Sequence, residues 1–159
     1  MKNKFIYIAL MIALIGINAC TGYKPIFSSS NIQFKISEYL LEGNKKLSNK
    51  IYSKVNNLSQ TSNTDGKSIS IKIDTDKNKQ ATAKNTAGKI LEYKITLLTH
   101  VIVKDYLTET ELLNKKYTSF SSYKVQDQYS ETIKLEKKSE ENLLNKIYQD
   151  LIIDLSENL

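Results

Sequence analysis

The sequence predicts an α+β fold, a two-layer sandwich in which two helices lie on one face of a four-stranded mixed sheet, in the order β-α-β-β-β-α. Three observations predict it. Four segments alternate apolar and polar residues with period two, as half-buried strands do. Two other segments repeat apolar residues three and four positions apart, the stripe of a helix with one buried side. Each segment therefore has one apolar face, and a sheet covered on one side buries all of these faces in a single core.

In chain order, a leader comes first. Lys2 and Lys4 precede an almost unbroken apolar run over 5–17, and Ile17-Asn18-Ala19-Cys20 closes it. A basic start, an apolar run of this length and a small-residue end read as a secretion signal rather than a membrane span. Cys20, the chain's one cysteine, stands where a lipoprotein signal places its acylated thiol. Asn18 departs from the small residues usual at that position. An uncleaved anchor or an ordinary secretion signal would leave Cys20 a bare thiol in an oxidising compartment, a liability that acylation removes. Durable attachment, at about 0.8 kcal/mol per buried CH₂, needs two or more acyl chains, which a lipoprotein cysteine carries. Thr21 is not the Asp that in many Gram-negative bacteria retains lipoproteins at the inner membrane, so the outer membrane is the expected destination. The expected organisation is thus a signal peptide over 1–19, a lipidated tether over 20–30 and one domain over 31–159.

Without the leader 140 residues remain, enough for one core. All 23 basic residues are Lys. Two fall in the leader, so 21 face 17 acidic residues, a formal excess of +4 that a mixed, solvated surface accounts for. Without Arg, bidentate recognition of phosphate or guanine is lost, and no nucleic-acid partner is expected.

The tether holds Gly22-Tyr23-Lys24-Pro25-Ile26-Phe27 and three serines. Pro25 keeps Lys24 extended, and the serines supply a flexible step into the domain. Strand 1 is expected over 31–37, where Ile32, Phe34 and Ile36 alternate with polar residues. Glu42-Gly43-Asn44 breaks the pattern, with Asn44 placed to cap a helix. Leu47, Ile51, Val55 and Leu58 are that helix's stripe, running to about residue 60, and a turn is expected over 61–66. Strand 2 carries Ile69, Ile71 and Ile73 on one face. The polar stretch 74–85 fits either a loop or the exposed tip of a long hairpin. Strand 3 aligns Leu91, Tyr93, Ile95, Leu97, Thr99, Val101 and Val103, with a partly wet opposite face. Strand 4, over about 115–125, puts Tyr117, Tyr123 and Val125 on one side and Phe120 on the other. Residues 129–155 lack Gly and Pro and favour helix, with Leu144, Ile147, Leu151 and Leu155 as the seam and a solvated first half, 131–141. Strands 2, 3 and 4 suit an antiparallel meander, and strand 1 is expected parallel to one of them at an edge.

Little here supports catalysis. Gly22, Gly43, Gly66 and Gly88 form no phosphate-binding loop, and His100 has no cysteine with which to build a metal cluster. Glu140 and Glu141 are adjacent on a helix and point apart, unlike a glycosidase pair. No enzyme activity, metal or cofactor is expected.

A cysteine at a lipidation site, then Gly22-Tyr23-Lys24-Pro25-Ile26-Phe27, then strand, helix, three strands and helix, resembles the LPS-assembly lipoprotein LptE family. Ser121-Ser122-Tyr123 followed by Tyr129-Ser130 is a second local match. The resemblance spans the chain from Cys20 onward, and the lack of Arg departs from it. It implies a non-catalytic, lipid-anchored partner on the periplasmic side of the outer membrane. Such a protein plugs the LptD β-barrel translocon, helps it assemble and contacts lipopolysaccharide during insertion into the outer leaflet. Lys104, Lys115 and Lys116 would then be candidates to meet lipid A phosphates as point charges. The alternative is a periplasmic lipoprotein that shelters a lipid or acyl chain, which would require an apolar cavity.

Overall fold

A computed structural model describes residues 33–61 and 66–159. The leader, Cys20, the tether, Ile32 and residues 62–65 of the expected turn lie outside them. The elements are β1 (Phe34–Gly43), α1 (Lys45–Thr61), β2 (Lys67–Lys84), β3 (Ile90–Asp105), β4 (Glu111–Lys124) and α2 (Tyr129–Asn158). One sheet has the order β1-β2-β3-β4, with β1 parallel to β2 and the other pairs antiparallel. Both helices cover the face that carries the odd-numbered residues of β2, β3 and β4.

That face is apolar because the period-two pattern and the register agree. Ile71 stands opposite Val103 and Ile73 opposite Val101, so β-branched side chains meet across the strands and under the helices. Leu47, Ile51 and Val55 of α1, and Leu144, Ile147, Leu151 and Leu155 of α2, close the core from above. Each fully buried Leu or Ile contributes about 1.5–3 kcal/mol relative to exposure. Within the core, Thr75 and Thr99 satisfy each other through a 3.2 Å hydroxyl contact. The Oγ of Ser119 is buried without a hydrogen-bond partner among the described residues. Ser119→Ala should therefore raise stability by about 0.5–1 kcal/mol, read as a higher urea midpoint with an unchanged slope.

Three expectations change, and one open alternative, the hairpin tip over 74–85, is the one observed. β1 continues to Gly43 because Ser37 is an extra residue in a bulge: Ile36 faces Ile69 and Glu38 faces Ser70. The bulge inverts the alternation, which hides the second half of the strand from a period-two reading. β2 continues to Lys84, so the polar stretch after Asp74 is the tip of a hairpin with β3. β4 begins at Glu111, ahead of the expected 115. The first half of α2 is not solvated, as described below.

The start of α1 is fixed locally. Gly43 has φ 62°, and Asn44 donates from its N–H to the Thr75 carbonyl at 2.7 Å, the last tie to β2 before the chain turns away. Asn44 Oδ1 then accepts from Leu47 N–H at 3.3 Å, the cap its sequence position predicts. Ser48 Oγ donates to the Glu42 carbonyl at 2.8 Å, and Ser59 Oγ to the Phe34 carbonyl at 2.9 Å, pinning both ends of α1 to β1.

Candidate interaction surface

The sheet gives the molecule two unlike sides. On the helix side, charges are consumed internally. Lys77 and Lys79 project from the hairpin toward α2, because odd residues of β2 face the helices. Lys77 Nζ lies 2.9 Å from both Glu136 Oε1 and Glu140 Oε2, and Lys79 Nζ 2.6 Å from Glu136 Oε2. Tyr123 Oη donates to Glu136 Oε2 at 2.9 Å. From α1, Lys50 reaches Glu140 at 3.2 Å and Lys54 reaches Glu141 at 3.2 Å. The Glu136 and Glu140 side chains are only 16% exposed. The charged first half of α2 is thus the clasp joining hairpin, α1 and α2, which corrects the solvated reading: i, i+4 carboxylates looked like a free surface because their lysines lie about sixty residues away.

The chemistry follows the geometry. Burial alone would raise the Glu136 carboxyl, but hydrogen bonds from Lys79, Lys77 and Tyr123 overturn it and hold its pKa at about 2. Glu140 is lowered for the same reason, with burial opposed by Lys77 and Lys50. A second clasp lies at the other end of α2. Lys115 Nζ meets Asp154 Oδ1 at 2.7 Å and Tyr117 Oη donates to Asp154 Oδ2 at 2.6 Å. Burial, then the Asp154 carboxylate, pushes the Tyr117 phenol far above its ordinary value.

Among the described residues, the opposite side of the sheet bears no helix. Its even-numbered residues include exposed Leu40, Leu98 and Phe120 among polar neighbours. Lys94 Nζ stands over the Phe120 ring at 4.2 Å. His100 Nε2 hydrogen-bonds Asn114 Oδ1 at 2.8 Å on this side, a surface pair. A shallow hollow of about 380 Å³ is bordered by Glu38, Leu40, Lys72, Ile102 and Lys104. A second, of about 620 Å³, lies at the hairpin end between Lys79, Ile90, Tyr93 and Tyr129. The first lies on the open face of the sheet; the second is lined both by helix-facing strand residues, Lys79 and Tyr93, and by Tyr129, Thr132 and Ile133 at the start of α2.

The three lysines named from the sequence are not brought together. Lys104 borders the open-face hollow, Lys116 stands opposite His100 on that same face, and Lys115 points to the helix side, held by Asp154. Neighbouring strand residues face opposite ways, so Lys115 and Lys116 cannot share one ligand face. The clasp around Glu136 was missed because its members come from α1, β2, β4 and α2. The i, i+4 pair Glu136 and Glu140 was the signal available. No described helix is long and apolar enough to cross a membrane.

No protein-family model matches the chain, and no curated protein matches it. Solved structures do share its fold. A minor lipoprotein from Acinetobacter baumannii is similar with a TM-score of 0.57 at 13% identity, over 80% of this chain and 94% of that one. Lipoprotein B from Nitrosomonas europaea is similar with a TM-score of 0.54 at 12% identity, over 82% and 88% of the two chains.

Proposed function

We propose that the protein is a lipid-anchored lipoprotein of the outer membrane that works without catalysis, as the partner and plug of an LptD-type β-barrel. In that role it assists barrel assembly and the insertion of lipopolysaccharide. The observation that carries this reading is the junction of two features: Cys20 at the end of a secretion leader, and a domain with the fold of bacterial lipoproteins. The surface suits the role. A barrel lumen is polar, and the domain presents Lys, Ser, Asn and Tyr outward while tying its own helices down with internal ion pairs. Lys104 and Lys116, on the helix-free side, are better placed than Lys115 to meet lipid A phosphates.

Affinity purification of the full chain from membranes should recover a large outer-membrane barrel, and depletion should leave that barrel misassembled. Purification with no barrel partner would remove the proposal. Cys20→Ala should move the protein from the membrane fraction to the soluble periplasmic fraction. If mass analysis of the parent protein recovers an N-terminal peptide with an unacylated Cys20, the acyl anchor is wrong.

A further inference from the structure

We infer that the outer edge of β4 is a docking site for an extended, acidic strand of another protein. In β4 the odd residues bond β3, as the 2.9 Å bond from Val125 N–H to the Leu91 carbonyl just beyond the strand marks. The even residues therefore turn their backbone groups outward. Asn114, Lys116, Thr118, Phe120 and Ser122 present a row of N–H and C=O groups that bond no other element among the described residues.

Natural sheets usually spoil such an edge with bulges, proline, lysines along it, or charges turned inward, and β4 confines its lysines to 115, 116 and 124. β1, at the other side of the sheet, has its bulge at Ser37, and the unpaired part of β2 is irregular near Ala81 and Ala83. β4 keeps continuous register from Leu113 to Lys124, has no proline, and is uncharged from Tyr117 to Ser122. Its edge is thus regular enough to template another strand.

The side chains say what kind. A strand added here places alternate residues beside Lys116, Phe120 and Lys124 on the helix-free side. Phe120 is 64% exposed, and an apolar neighbour would bury it. Lys116 and Lys124, eight residues apart, form no ion pair within 4 Å among the described residues, although Glu92 stands across from Lys124 on β3, so acidic residues on their open side are favoured, most of all beside Lys116. The other residues of the added strand would descend toward α2. There a groove of about 310 Å³ is lined by Lys115, Tyr117, Thr118, Asp150, Ile153 and Asp154, a mixed floor whose carboxylates favour uncharged residues on that side of the added strand. A second copy of this chain would bring four lysines to the seam, which disfavours it against a carboxylate-bearing strand. The edge is independent of what anchors the chain or which barrel it meets, so failure of either reading leaves the other standing.

The test uses the detergent-solubilised full chain and a synthetic peptide of roughly eleven residues, long enough to pair with 114–124. It alternates β-branched residues with two Glu placed to face Lys116 and Lys124, and a matched peptide carries Lys in their place. The acidic peptide should slow amide exchange at Lys116, Thr118 and Phe120 and bind at least about tenfold more tightly than its Lys counterpart. The double variant Lys116→Glu, Lys124→Glu should reverse that preference. Thr118→Pro, which removes an outward N–H only, should abolish binding with the circular dichroism spectrum intact. Phe120→Asp gives a second reading should the proline variant misfold, and should weaken the acidic peptide about tenfold or more. Equal binding of both peptides, no protection of the edge amides, self-association that protects β4, or slow exchange of those amides in the free monomer would each overturn the inference.

Discussion

Glu136→Ala is expected to cost about 2–3 kcal/mol of folding free energy, far more than a surface carboxylate should. The variant strips Lys79 of its carboxylate partner and Lys77 of one of two, leaving both ammonium groups under α2. Breaking a fully buried pair costs about 3–5 kcal/mol and breaking an exposed one about 0–1, and these side chains lie between those limits. Replacing the trio together, as Lys77→Met, Lys79→Met and Glu136→Leu, should restore stability to within about 1 kcal/mol of the parent, because no charge is then stranded. Urea melts of both variants decide the matter: a loss under about 0.5 kcal/mol for Glu136→Ala would mean that water already screens the clasp.

The same carboxylate sets a pH response. Its folded pKa, about 2, lies below the unfolded reference of 4.5, so its stabilisation is present above pH 4.5 and is lost as pH falls from 4.5 toward 2. Glu140 and Asp154 are shifted in the same direction and add to the loss. Allowing for screening at this partly hydrated site, the Glu136 share is about 1–2 kcal/mol. Glu136→Gln should flatten the stability profile over that window, and a variant profile that remained parallel to the parent's would assign the acid response elsewhere.

Gly43→Ala should be nearly as damaging, at about 2–4 kcal/mol, or a fall in Tm of roughly 6–15 °C. The residue sits at φ 62°, where an L side chain is strained, and an added Cβ would stand 2.6 Å from the Thr75 carbonyl oxygen and against the Asp74 carboxylate. Thr75 cannot yield, because its carbonyl accepts the Asn44 N–H that ends β1. Gly88→Ala supplies the control. Its φ is 80°, but nothing lies within 4 Å of the added carbon, so only backbone strain of about 1 kcal/mol is at stake. Equal, small losses at both positions would mean that the β1–α1 corner relaxes freely.

The helical stripe Leu47, Ile51, Val55 and the strand rows Ile69-Ile71-Ile73 and Ile95-Leu97 were legible because a single-sided core repeats at the period of each element. β1 was half legible: one inserted residue, Ser37, switched Leu40 and Leu41 between faces. The hairpin tip was ambiguous because its even side chains are polar toward water while its odd lysines are paired beneath α2, so no apolar row marks it as strand. Lys115 and Lys116 looked like one basic site only because adjacency along a strand conceals that their side chains leave by opposite faces.

The amino-acid sequence by itself determined the class of fold and which face of each element is apolar. These are local matters of hydrophobicity and spacing, readable within a few residues. Only the tertiary structure decided which charges neutralise one another and, among the described residues, which strand edge stays open and which lysines remain unpaired. Those depend on residues from α1, β2, β4 and α2 meeting in space. Opposite charges attract over a few ångströms, whatever their separation along the chain.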